Sequence, residues 1–194
     1  HILRRAGQDR IICFGQPRGK KDTFTLFDEW IPEGTLLNRE EALAEITLRY
    51  FRGHGPATLE DFVWWSGLKV SDAKTGLETV KTELAHENID GRVYWLSSDM
   101  PEVRPGPKVV YLLPGFDEYM LGYKDRSAAL DPRYAQRICP GNNGMFAPTI
   151  VVNGKVTGTW KRTFRKDSLV ITPSFFAHTT KPGEAFSAAT KRYG

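Results

Sequence analysis

Residues Arg49–Leu68, RYFRGHGPATLEDFVWWSGL, constrain the fold more than any other stretch of the chain. They end one helix, turn, and start and stop a second. Gly53, Gly55 and Pro56 cannot comfortably continue a helix, so the first one ends near Phe51 or Arg52. Thr58 is placed to accept a hydrogen bond from the amide of Asp61, which itself lies near the positive end of the new helix dipole. Phe62 and Trp65 share a helix face. Gly67 stops the helix, and Ser71 is a candidate cap for a third. Two short helices across a tight turn form the centre of a helix-turn-helix unit.

The flanking segments extend that unit. Asn38 with Glu41 has capping-box spacing, and Ala42, Leu43, Ile46, Leu48, Tyr50 and Phe51 give the first helix a broad apolar face. Beyond the turn, Ala73, Leu77, Val80 and Leu84 recur at helical spacing over residues 72–84. Ala85–Ile89, the turn Asp90-Gly91 and Arg92–Leu96 read as a hairpin. Helix, helix, helix, strand, wing, strand is a complete winged helix, and residues 38–97 are assigned to it. Its third helix carries Lys74 and Lys81 against Asp72, Glu78 and Glu83, a poor complement for phosphates.

Upstream, His1–Ala6 reads as the tail of a helix already under way, and further residues are expected before His1. The helix stops at Gly7. Ile11–Gly15 and Thr23–Phe27 read as strands around the basic turn Gln16–Asp22. Residues 1–30 thus have the pattern of the C-terminal part of another winged helix, with the turn as its wing. Asp28–Leu37 is a connector. Downstream, 100–108 (MPEVRPGPK) is a proline-rich linker. Residues 108–194 are β-rich: Val109–Leu113, Thr149–Val152, Lys155–Lys161 and Ser168–Thr172, with the turn Asn153-Gly154, predict a small antiparallel, barrel-like domain. Asp131 and Pro132 start a helical turn, and Glu184–Arg192 is a candidate terminal helix. The fold class is α+β.

The 194 residues carry a formal charge of +4, unevenly spread. His1–Lys21 holds Arg4, Arg5, Arg10, Arg18, Lys20 and Lys21 against Asp9 alone. Lys155–Gly194 holds Lys155, Lys161, Arg162, Arg165, Lys166, Lys181, Lys191 and Arg192 against Asp167 and Glu184. Arg4, Arg5, Arg18, Lys20 and Lys21, with Lys161, Arg162, Arg165 and Lys166, are the candidate contacts to a DNA backbone; a solvated surface is the plain alternative. Five Trp and eleven Phe supply a core. No run has the length of a membrane span. Cys13 and Cys139, flanked by apolar residues or Pro, read as buried free thiols in a reducing, cytoplasmic setting. Four His without a Cys-x-x-Cys give no zinc pattern. Gly141-Asn142-Asn143-Gly144 is a flexible turn rather than a phosphate-cradling loop, so neither a metal nor a nucleotide cofactor is expected.

Tyr50–Leu68, Leu112–Leu130 (LLPGFDEYMLGYKDRSAAL) and Asn153–Lys161 (NGKVTGTWK), in that order, resemble a large bacterial family of winged-helix DNA-binding proteins that includes the AlkZ and YcaQ DNA glycosylases. The resemblance runs over essentially the whole chain. It implies tandem winged helices followed by a barrel-like domain, double-stranded DNA as partner, and excision of alkylated or crosslinked bases. The family's catalytic signature, Gln-x-Gln or Gln-x-Asp, lies in an upstream domain. Here Gln8 is followed by Asp9-Arg10, Gln16 by Pro17-Arg18 and Gln136 by Arg137-Ile138. None matches, so no catalytic residue is assigned. Either the signature precedes His1 or this member lacks the activity, leaving a non-catalytic regulator or a protein-interaction module as alternatives.

Within the motifs, Asp117, Tyr123, Asp125 and Arg126 are polar residues of open role. Asp117 is a candidate turn cap and Asp125 a candidate ion-pair partner of the adjacent Arg126. Arg126 suits a phosphate or an internal carboxylate equally. Tyr119 and Tyr123 suit base stacking or core packing. Trp64 and Trp65 read as core or domain-interface residues, and His54 as a turn residue.

Overall fold

The computed structural model describes residues 2–32, 34, 37–101, 109–166, 168–177 and 183–193. The linker expected over 100–108 falls largely outside the described residues. The chain divides into two units, His1–Arg39 and Glu40–Gly194.

In the first unit, helix α1 (Ile2–Gln8) runs through Gly7, and Arg10 takes the left-handed conformation (φ 56°) that ends it. The amides of Asp9 and Ile11 return to Arg5 and Ala6 carbonyls, satisfying the last turn. Strands β1 (Ile12–Phe14) and β2 (Phe24–Leu26) pair antiparallel, and the Phe14 and Phe24 rings stack across them at 5.1 Å. Arg18 and Lys21 bridge through their backbones at the hairpin tip. The connector contains an unexpected short helix, α2 (Phe27–Trp30), with Asp28 and Glu29 in its first turn.

The second unit begins with α3 (Arg39–His54), α4 (Leu59–Ser66) and α5 (Val70–Val80). Leu43, Thr47, Tyr50 and Phe51 form the buried stripe of α3. A cluster of Tyr50, Phe51, Ala57, Phe62, Ala73, Leu77, Val80 and Leu84 unites the three helices. α3 and α5 cross so closely that a Cβ on Gly76 would lie 2.3 Å from Thr47 Oγ1 and 2.9 Å from the Leu43 carbonyl. Ser71 does not cap α5. The helix begins earlier, at Val70, directly after extended Lys69, which puts Ser71 in its first turn.

Strands β3 (Leu84–Ile89) and β4 (Arg92–Ser97) form the expected hairpin, with Asp90 (φ 51°) and Gly91 (φ 78°) at its tip. Ala57 and Trp95 exchange two backbone hydrogen bonds of 3.0 and 2.8 Å, tying this hairpin to the α3–α4 turn.

Strands β5 (Val110–Leu113), β6 (Thr149–Val152), β7 (Lys155–Arg165) and β8 (Ser168–Phe175) make one antiparallel sheet in that order. Among the described residues this sheet is open, with edges β5 and β8, and not the barrel expected. Four strands are too few to close around a filled interior. Both faces are covered instead. Helix α8 (Glu184–Tyr193) sets Phe186 and Ala189 against Val110, Ile150 and Trp160. The other face buries Val151 and Val156 with Met120, Leu130 and Ile138. Ile150 and Val151 go to opposite faces, as strand alternation requires. Short helices α6 (Glu118–Leu121) and α7 (Ala135–Ile138) lie between β5 and β6. No helix among the described residues is long and apolar enough to cross a membrane.

Candidate functional site

The two most distinctive sequence segments fold against each other. Thr58 and Asp61 form a reciprocal capping box: the Asp61 amide donates to Thr58 Oγ1 at 3.2 Å, and the Thr58 amide to Asp61 Oδ2 at 2.9 Å. The Thr58 hydroxyl also donates to Oδ2, at 2.7 Å. The remaining oxygen, Oδ1, accepts the amides of Lys124 and Asp125 at 2.8 and 3.2 Å. One buried carboxylate thus starts α4 and fixes the loop after α6.

Two tyrosines cross the same seam in opposite directions. Tyr50 Oη donates to the Gly122 carbonyl at 2.8 Å, and Tyr123 Oη to the His54 carbonyl at 2.6 Å. Burial pushes both phenols above their ordinary pKa, with the Asp61 charge adding to the effect. His54 stacks on Tyr50 at 4.6 Å, and its Nε2 lies 3.2 Å from Glu118 Oε2. Trp65 Nε1 donates to the same oxygen at 3.1 Å. His54 is therefore more than a turn residue. A Cβ on Gly122 would come 2.6 Å from His54 Cδ2, so only hydrogen fits there.

The seam collects Asp117, Tyr123, Asp125 and Arg126, and gives each of them a structural partner. Asp117 caps α6, accepting the Tyr119 amide at 2.9 Å. Tyr119 itself donates to the Gly154 carbonyl at 2.6 Å. Asp125 does not pair with Arg126. It accepts the Ser127 amide at 3.0 Å and the guanidinium of Arg92, on β4, at 2.6 Å. The Ser127 bonds first, then Arg92, hold its carboxyl down at about 2. Neighbours in sequence point their side chains apart here, which adjacency alone could not reveal. Arg126 Nε donates to the Met120 carbonyl, and its guanidinium lies 5.1 Å from the Phe146 ring centroid and 5.8 Å from that of Trp64.

The candidate DNA contacts fall into two groups. Lys161, Arg162 and Arg165 lie on the part of β7 that pairs only with β8, and Lys166 directly follows it. This two-stranded arm leaves Phe164 72% exposed, with Arg162 over its ring at 5.5 Å. Arg162 also donates to Tyr193 Oη at 2.9 Å. Among the described residues, none of the four is in an ion pair. Arg4, Arg5, Arg18, Lys20 and Lys21 belong to the first unit and are all exposed. Arg5 pairs with Asp9 at 2.7 Å on the open surface. Cys139 is buried, whereas Cys13 is only half-buried, because its short hairpin leaves it partly open. Among the described residues, no three His, Cys, Asp or Glu side chains are placed to hold a metal ion.

The chain is 30% identical over 186 residues to an interstrand DNA cross-link repair glycosylase of Streptomyces sahachiroi, a match covering 89% of this chain and 48% of that protein. The solved structure of the Streptomyces sahachiroi DNA glycosylase AlkZ superposes with a TM-score of 0.77 at 26% identity, over 97% of this chain and 52% of that one. The chain therefore spans about half the length of the relative it matches. The family described as DNA glycosylase AlkZ-like matches residues 1–194, and the chain belongs to that family.

Proposed function

We propose that this chain is the DNA-gripping part of a glycosylase that acts on alkylated or crosslinked bases in duplex DNA, in the bacterial cytoplasm. The observation that carries this reading is the β7–β8 arm. Lys161, Arg162, Arg165 and Lys166 lie along one exposed hairpin end that also carries Phe164, without ion-pair partners among the described residues. Such an arrangement suits a phosphate backbone, where each neutralised phosphate releases counterions. Family membership and the relative's role in cross-link repair support the substrate class.

In this reading, α3 to α5 with the β3–β4 hairpin are a winged helix, and α1 with the β1–β2 hairpin is the end of another. Arg4, Arg5, Arg18, Lys20 and Lys21 are then a second set of backbone contacts. α5 stands at the recognition position, but it carries Asp72 and Glu78 against Lys74, and Glu78 pairs with Lys81 just beyond the helix. That balance favours a packing role for α5, against protein or against the rest of the molecule.

No Gln-x-Gln or Gln-x-Asp occurs in the chain, so the excision chemistry is assigned to residues outside it. The test is abasic-site formation on a duplex carrying an alkylated base, with this chain and with the complete gene product. Excision by the complete product alone supports the proposal. Duplex binding without excision by either would favour a non-catalytic DNA-binding protein.

A further inference from the structure

Arg126 is a motif residue whose chemistry is left unfinished. Its Nε donates to the Met120 carbonyl, but Nη2 is buried with no hydrogen-bond partner among the described residues. A guanidinium stays charged in a protein, so burial cannot be relieved by losing the proton. A buried charge with an unused donor is costly unless something pairs with it. Burial does pull its pKa below the ordinary value, in keeping with that strain on the charge.

The nearby acids are already occupied. Asp61 accepts from the Thr58 amide and hydroxyl on one oxygen and from the Lys124 and Asp125 amides on the other. Asp125 is held by Arg92 and Ser127. Among the described residues neither makes an ion pair with Arg126, although the Asp61 charge acts on it from a distance.

Arg126 borders a cavity of about 380 Å³. Trp64, Ile138 and Phe146 give it apolar walls, while Lys124 and Asn142 bring polar groups to the rim. No carboxylate lines it. Lys124 is exposed and, among the described residues, its ammonium has no ion-pair partner. Two cations and an amide line it, with no carboxylate among its lining residues.

We propose that Lys124 and Arg126 form a binding site for a phosphate group, seated in this cavity beside Trp64. A guanidinium edge matches an oxyanion geometrically, and an ammonium adds a point charge with freely turning donors. Two positive charges match phosphate better than a single carboxylate. The same chemistry is offered by a DNA phosphodiester or by a free phosphate, and the site does not depend on the DNA-binding proposal.

The test is ¹H–¹⁵N NMR of this chain, including arginine Nε–H and tryptophan indole resonances. Inorganic phosphate is titrated at constant ionic strength, with acetate in parallel. Saturable shifts centred on Trp64, Lys124 and Arg126 are expected with phosphate and not with acetate. Lys124→Gln, at an exposed position that leaves the fold intact, weakens binding roughly tenfold, as loss of one charge-assisted hydrogen bond requires. Arg126→Lys weakens it further. Repeating the titration with a short duplex present separates the sources: blocked phosphate binding assigns the site to the DNA backbone, and unchanged binding assigns it to free phosphate. No saturable response, an equal response to acetate, or unaltered affinity in Lys124→Gln would overturn the proposal.

Discussion

Asp61 Oδ1 accepts the Lys124 amide at 2.8 Å, joining the cap of α4 to the loop after α6 across a long stretch of chain. The two segments that looked like independent motifs are therefore one structural device. The carboxylate needs its charge because every group facing it donates.

Asp61→Asn is expected to cost about 3 kcal/mol, since an amide presents N–H to donors and a charge-assisted set is lost inside the protein. Thr58→Ala removes one hydroxyl and should cost about 1–2 kcal/mol. Urea denaturation of both variants checks the order. Equal costs would mean that the cap alone, and not the link to Lys124 and Asp125, carries the stability.

Tyr50→Phe and Tyr123→Phe each strip one donor from a carbonyl on the opposite side of the seam. Each should lose about 1 kcal/mol. The double variant should deviate from additivity, because Tyr123 donates to the His54 carbonyl and the His54 ring stacks on Tyr50. A double-mutant cycle by thermal or urea unfolding measures that coupling.

Gly76→Ala should destabilise, although alanine is the better helix former by about 1 kcal/mol. The added methyl meets Thr47 Oγ1 and the Leu43 carbonyl, one of them backbone. Forcing α3 and α5 apart should cost about 1–3 kcal/mol net. A rise in melting temperature would contradict the close crossing.

The carboxyl of Asp125 titrates at about 2 in the fold, below its usual range, through Ser127 and Arg92. Its contribution to stability is present above pH 4 and is lost as pH falls from about 4 through about 2. The group is largely exposed, so the effect is small. Asp125→Asn should flatten the acid limb of the stability–pH curve within that window. Arg92→Gln with Asp125 intact should remove only part of that pH dependence, because the Ser127 bonds remain.

Most of the helical region was legible in residues 38–97. Thr58 with Asp61, Gly67 and Asp90-Gly91 each have a local chemistry that fixes one backbone geometry, and the structure uses all of them. The start of α5 was not legible, because Lys69 enters it without a side-chain cap for Ser71 to be preferred over. The sheet strands were recognisable, but not its open form. That depends on α8 and the α6–α7 segment covering both faces, a tertiary matter. The Asp125–Arg92 pair and the His54–Glu118–Trp65 cluster were invisible for the same reason: their partners lie far apart in the chain. The basic character of Lys161–Lys166 was plain, whereas its projection as a hairpin arm follows from β6 being shorter than β7.

The most direct test of the DNA-gripping role is duplex binding by this chain across a salt series, beside a variant with Lys161, Arg162, Arg165 and Lys166 changed to Gln. The account predicts that log affinity falls linearly with log salt, and that the variant's slope is shallower by about 0.9 for each phosphate contact removed. No binding at low salt, or an unchanged slope in the variant, would contradict it.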